Sequence, residues 1–151
     1  MGLTYTIKRE NVALSTTNDL LTIIGSTTRS WRIRSIEVSG MGTASAANTL
    51  GIYRVGTAGI TPGGAITPTP NNPAAPAAAL TTSTTWATQP VVGVELRTMA
   101  VNANGAINRW VAIPNIDEIE CPGGATAASS ISLRAAVGAS LVNLQITIEE
   151  F

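Results

Sequence analysis

The ending "SLVNLQITIEEF" constrains this chain more than any other stretch. Val142, Leu144, Ile146 and Ile148 fall on one parity, Asn143, Gln145, Thr147 and Glu149 on the other. A period of two marks a β-strand with one buried face, because successive side chains leave a pleated backbone on opposite sides. "SISLRAAV" repeats the pattern with Ile131, Leu133, Ala135 and Val137, and "LTYTIK" with Leu3, Tyr5 and Ile7. Further strands are expected at 20–24, 49–55, 83–88, 91–98, 106–113 and 116–120.

"RSWRIRSIEVSG" carries a fault in this rhythm. Trp31 and Ile33 are odd, whereas Ile36 and Val38 are even. One extra residue restores a common inward face, so a β-bulge or bend is predicted at Arg34–Ser35, with Arg32 and Arg34 facing away from Trp31 and Ile33. "NANG" (102–105) ends in Asn-Gly, a hairpin signal because that pair tolerates positive φ. No amphipathic helix is visible. Prolines interrupt the alanines of "NPAAPAAAL", leaving at most one turn at Pro76–Leu80. Eight to ten short strands in 151 residues point to one all-β domain, 1–151. The expected form is a two-sheet antiparallel sandwich, a jelly roll, with a long Pro/Ala-rich loop inserted at about 56–82.

That insertion lies in the strangest part of the chain. From Val55 to Val94 there is no charged residue across forty positions, and Thr61–Pro90 holds six of the eight prolines. A disordered linker, a loop packed on its own domain and an arm packed against another subunit are the alternatives. Disorder usually joins low hydrophobicity to high charge. An arm gains from proline, which lowers the entropy cost of ordering, and from the absence of charge, which removes a desolvation cost at contact. The arm is the favoured reading. Its candidate interface residues are Pro68, Pro70, Pro73, Pro76, Leu80 and Trp86, joined by Arg32 and Arg34.

Composition narrows the function. Charged residues are 12% with zero net charge, so little repulsion keeps copies apart, and no basic face is expected for nucleic acid. The chain has no histidine, the usual acid–base group near neutral pH. Cys121 is alone, which rules out an intramolecular disulfide, and is expected to be buried. Glu118 and Glu120 of "NIDEIE" share a face about 7 Å apart if extended, and are expected to be a polar surface more than a cation site. No catalytic, cofactor or metal residues are expected, and no small-molecule substrate. No run is long and apolar enough to span a membrane. The start "MGLTYTIKRENVALSTTNDLL" does not read as a signal peptide, because its basic residues follow the apolar ones, so cytoplasmic synthesis without secretion is expected. Trp31, Trp86 and Trp110 read as core or interface residues, with sugar stacking as the alternative. Arg32 and Arg34 are expected to pair with "DEIE" or with Glu149–Glu150, within or between subunits.

Taken together, "RIRSIEVSGMGTASAANTLGIYRV", the Pro/Ala-rich insertion, "VNANGAINRWVAIPN" and "SISLRAAVGASLVNLQITIEEF" give the chain a texture that resembles capsid decoration (cement) proteins of tailed bacteriophages. The resemblance spans nearly the whole chain but rests on no diagnostic motif, so no site residue is carried over. It implies a structural, non-enzymatic virion protein on the outer capsid surface, a homotrimer whose partner is the major capsid protein. Alternatives are another phage structural subunit (tail, head fibre or adaptor) and a carbohydrate-binding β-sandwich using Trp86 or Trp110.

Overall fold

The computed structural model describes residues 2–124 and 126–151. Its strands are β1 (Leu3–Ala13), β2 (Leu21–Ile24), β3 (Trp31–Gly40), β4 (Ala47–Thr57), β5 (Ile60–Gly63), β6 (Thr69–Pro70), β7 (Thr81–Ser83), β8 (Thr85–Thr88), β9 (Val91–Asn102), β10 (Ile107–Val111), β11 (Ile119–Cys121), β12 (Ile131–Val137) and β13 (Leu141–Glu150), with one 3-10 turn at Ala127–Ser129. Every pairing is antiparallel.

The long strands pair as one folded hairpin. β1 pairs β13, β2 pairs β12, β3 pairs β10 and β4 pairs β9. The hairpin then rolls up, which brings β13 against β3 and β12 against β4. One sheet runs β10-β3-β13-β1 and the other β2-β12-β4-β9, each extended by short strands. This is the expected sandwich, and its strand order is that of a jelly roll.

The inner faces follow the sequence alternation except at Val137, where a register shift after Ala135 turns the expected inward side chain out to 58% exposure. Trp31, Ile33, Ile36, Val38, Val142, Ile146 and Ile148 from one sheet meet Leu21, Ile23, Leu50, Ile52, Ile131 and Leu133 from the other, all fully buried. The phase fault in β3 is a bulge. Ser35 pairs Thr147 and Ile33 pairs Ile148, so Arg34 is the extra residue. Arg32 and Arg34 stay on the outer face, half-buried.

Other expectations need correction. The "NANG" turn makes no hairpin: β9 belongs to one sheet and β10 to the other, so this turn carries the chain between the layers. Asn-Gly supplies a tight reversal, with φ +95° at Gly105, but the layer that the next strand joins depends on distant partners. Residues 116–120 are not one strand, because 114–117 form a turn and only Ile119–Cys121 pairs β3. Pro76–Leu80 is not helical, and the turn sits earlier, where Ala75 N donates to Asn72 O at 2.9 Å. "STTWAT" divides between β7 and β8.

The insertion occupies 58–90, between β4 and β9. It is ordered and wraps its own sandwich. β6 adds to the β1 edge of one sheet and β7 to the β2 edge of the other. β5 and β8 pair with each other. Leu80 enters the core between the two added strands, with Ile66 and Ala78 packed beside it.

Candidate functional site

Two groups of polar side chains and one set of exposed apolar ones are the places where this fold could do something beyond standing up. The first polar group fastens the insertion. Glu150 has the same parity as Val142 through Ile148, so it points inward at the end of β13, and its side chain is fully buried. An inward carboxylate must find donors. It accepts from Ala79 N at 2.8 Å, Leu80 N at 2.8 Å and Arg29 Nη1 at 3.2 Å. Tyr5 Oη donates to Pro76 O at 3.1 Å.

A second chain of bonds holds the far end of the insertion to the outer face of the other sheet. Trp86 Nε1 donates to Thr22 Oγ1 (3.0 Å), and Thr22 Oγ1 donates to Asp19 Oδ2 (2.6 Å). Asp19 pairs Arg134 at 2.6 Å, and Arg134 Nη2 donates to Pro90 O at 3.0 Å. The ring of contacts starts and ends in the insertion. The indole lies over Gly59, where a Cβ would strike the Trp86 ring. Thr22, on a face that would otherwise be solvated, is buried beneath this chain of contacts.

The second polar group lies on the outer face of the β3 sheet. Arg32 reaches Glu118 (3.2 Å), Glu120 (3.3 Å) and Glu149 (3.0 Å), and Arg34 reaches Glu118 (2.5 Å) and Glu149. The expected pairing with "DEIE" and with the Glu149–Glu150 end is therefore made within one chain. Arg32 also lies 5.0 Å from the Phe151 ring. Burial works to raise the Glu149 carboxyl, but hydrogen bonds and charge from Arg32 and Arg34 outweigh it and hold it below the ordinary range. Glu118 and Glu120 do converge, but on an arginine. Among the described residues no cluster of three metal-type ligands occurs.

The candidate interface residues scatter. Pro73 and Pro76 are exposed, Pro70 and Trp86 half-buried, and Pro68 buried. Leu80 is a correction: at 2% exposure it belongs to the core of its own domain and offers no surface. The sugar-stacking alternative loses two of its three rings. Trp31 is fully buried, with Nε1 donating to Ser129 O at 3.0 Å. Trp110 is nearly buried, the Arg97 guanidinium lies 4.6 Å from its ring centroid, and its Nε1 donates to Asp117 Oδ2 at 3.0 Å. Cys121 is buried, as expected, and burial pushes its thiol up to about 11, leaving too little thiolate for nucleophilic work.

Sequence reasoning missed Arg97, and it offered Glu150 and Asp117 to Arg32 and Arg34, whereas Glu150 meets Arg29 and the insertion and Asp117 meets Arg97 and Trp110. Glu150 was discoverable, since a carboxylate on the inward parity of a strand needs partners. Arg97 shares parity with the buried Met99 and Val101 and gives the same signal.

Large apolar side chains also remain outside. Val91 and Val94 of β9, Ile107 and Val111 of β10, and Ile113 and Ile116 of the following loop are each more than half exposed. No helix among the described residues is long and apolar enough to cross a membrane.

No family model matches the chain, and no curated protein matches it. Among solved structures it is similar to a chain of infectious bursal disease virus, Gx strain, with 15% identity over 97% of this chain and 40% of that one. The TM-score is 0.19, too low to carry an argument about fold or function.

Proposed function

We propose that this chain is a non-enzymatic structural subunit of a bacteriophage virion. In this reading it is a decoration protein that sits on the outer surface of the head as a homotrimer and braces neighbouring copies of the major capsid protein. One observation carries the reading. Most charged side chains are engaged inside the chain, while large apolar side chains stand exposed around β9 and β10. Exposed apolar clusters on an otherwise well-packed domain mark contact surfaces, and zero net charge leaves little repulsion between copies. A repeated lattice supplies avidity, so each such contact can be weak. The texture resemblance to phage decoration proteins points the same way.

The test is copy number and location in purified virions, by gel stoichiometry and imaging, with light scattering on the isolated protein. A trimer present on the head in stoichiometric numbers is expected. A monodisperse monomer with no affinity for heads overturns the reading, and assembly into a ring or fibre selects a tail or adaptor subunit instead.

A further inference from the structure

The turn that carries the chain from one sheet to the other contains the only Asn-Gly pair in the sequence, Asn104–Gly105. Both residues are exposed and lie in an irregular turn outside either sheet. Among the described residues the Asn104 carboxamide makes no hydrogen bond, and the Gly105 amide donates none. Gly105 has no side chain to shield its own nitrogen, and its backbone is free of the restraint a Cβ imposes.

We infer that Asn104 is a site of spontaneous deamidation in the folded protein. The Gly105 amide, after losing its proton to hydroxide, attacks Cγ of Asn104. A bond forms between that nitrogen and Cγ, the Cγ–Nδ2 bond breaks, and ammonia leaves. Water then opens the resulting five-membered imide at either carbonyl. One opening gives aspartate; the other gives isoaspartate, whose backbone runs through Cβ and is one carbon longer. The hydroxide is regenerated when the departing nitrogen takes a proton from water, and the sum is asparagine plus water to carboxylate plus ammonium, with no other reactant.

Neighbouring asparagines lack one or more of these conditions. Asn102, two residues away, bonds to Ser45 Oγ through Nδ2 at 3.2 Å and accepts from Asn104 N through Oδ1 at 3.2 Å. The residue after it, Ala103, is buried, and its N–H is committed to Ala46 O at 3.0 Å. Asn72 precedes Pro73, which has no N–H to attack with.

The consequence reaches past one side chain. The chain carries zero net charge, so each conversion makes a negative species. It does so beside the exposed apolar side chain of Ile107, which begins β10 two residues after the turn's glycine. The population divides with age into neutral and acidic forms.

The experiment is incubation of the folded full chain at mildly alkaline pH, followed by isoelectric focusing and peptide mapping with isoaspartate-specific methylation. An acidic band should grow with time and faster at higher pH, with the change mapped to Asn104 and Asn102 left as the amide. Asn104→Gln, which keeps Gly105 and its turn, should abolish the band, and Gly105→Ala should slow it severalfold. If Asn104 converts no faster than Asn102, or converts only after the chain is unfolded in urea, the inference fails.

Discussion

The two long sides of this sandwich solve the same problem in opposite ways. Any open sheet edge presents unpaired N–H and C=O groups and invites another strand. On the β1/β2 side the chain covers the edges itself: β6 and β7 pair them, Leu80 fills the gap, and Glu150 ties the covering down. On the other side β9, β10 and β11 stay outermost. There β10 and β11 are short, and β9 carries three register irregularities together with Glu95 and Arg97. Bulges and charges discourage strand addition without preventing side-chain contact. The insertion pairs with its own domain, yet most of its residues stay exposed, Pro73 and Pro76 among them, so burial within the chain does not explain its freedom from charge.

Leu80→Ala should test the covered side most severely. A buried leucine cut to alanine costs about 2–5 kcal/mol, measured by urea denaturation, and loss of under about 1 kcal/mol would show that the insertion is not part of the core. Glu150→Gln comes next. Hydrogen bonds to a charged group are worth about 1.5–3 kcal/mol, and cleavage within 71–79 by a nonspecific protease should quicken. Unchanged protection would mean that Glu150 does not hold the insertion.

On the open side, acid should act through Asp117. Its carboxyl is held below the ordinary range by the hydrogen bond from Trp110, then by Ile113 N and the charge of Arg97. A depressed carboxylate contributes stability that is present above the ordinary range and lost as pH falls through the folded value. Trp110 emission should therefore change at a pH below the usual carboxylate midpoint, and in Asp117→Asn that transition should vanish. A midpoint at the ordinary value would break the assignment. The smallest effect on stability belongs to Val94→Ser and Ile107→Ser, each within about 0.5 kcal/mol. These two should weaken self-association or head binding in sedimentation. If they leave association untouched, the open side is not the contact surface.

The sequence was legible where a local rule met a repeated pattern. The alternation in β13 and β12, and the phase slip at Arg34, reported the inward face because every wrong phase would bury polar groups. The partners of Arg32 and Arg34 were legible too, since few carboxylates exist to meet them. Four things were not. The layer entered after Asn104–Gly105 depends on whether β10 finds β9 or β3. The strand expected at 116–120 gave way to a turn fixed by Asp117, whose carboxylate accepts from Ile113 N at 2.6 Å. The candidate turn at Pro76–Leu80 stretched out instead to lay Ala79 and Leu80 on Glu150. Leu80 itself, one apolar residue among prolines and alanines, gave no periodic signal of burial.

The amino-acid sequence by itself determined that this protein is a layered β-structure with a bulged third strand and an internal, charge-free insertion. Strand parity and charge content are properties of neighbours along the chain. Only the tertiary structure decided that the insertion pairs with its own sandwich, and that six large apolar side chains of β9, β10 and the loop after it stand exposed on the other side. Both follow from which strands end up side by side when the long hairpin rolls, a choice set by contacts between residues more than a hundred positions apart, such as Arg29 with Glu150.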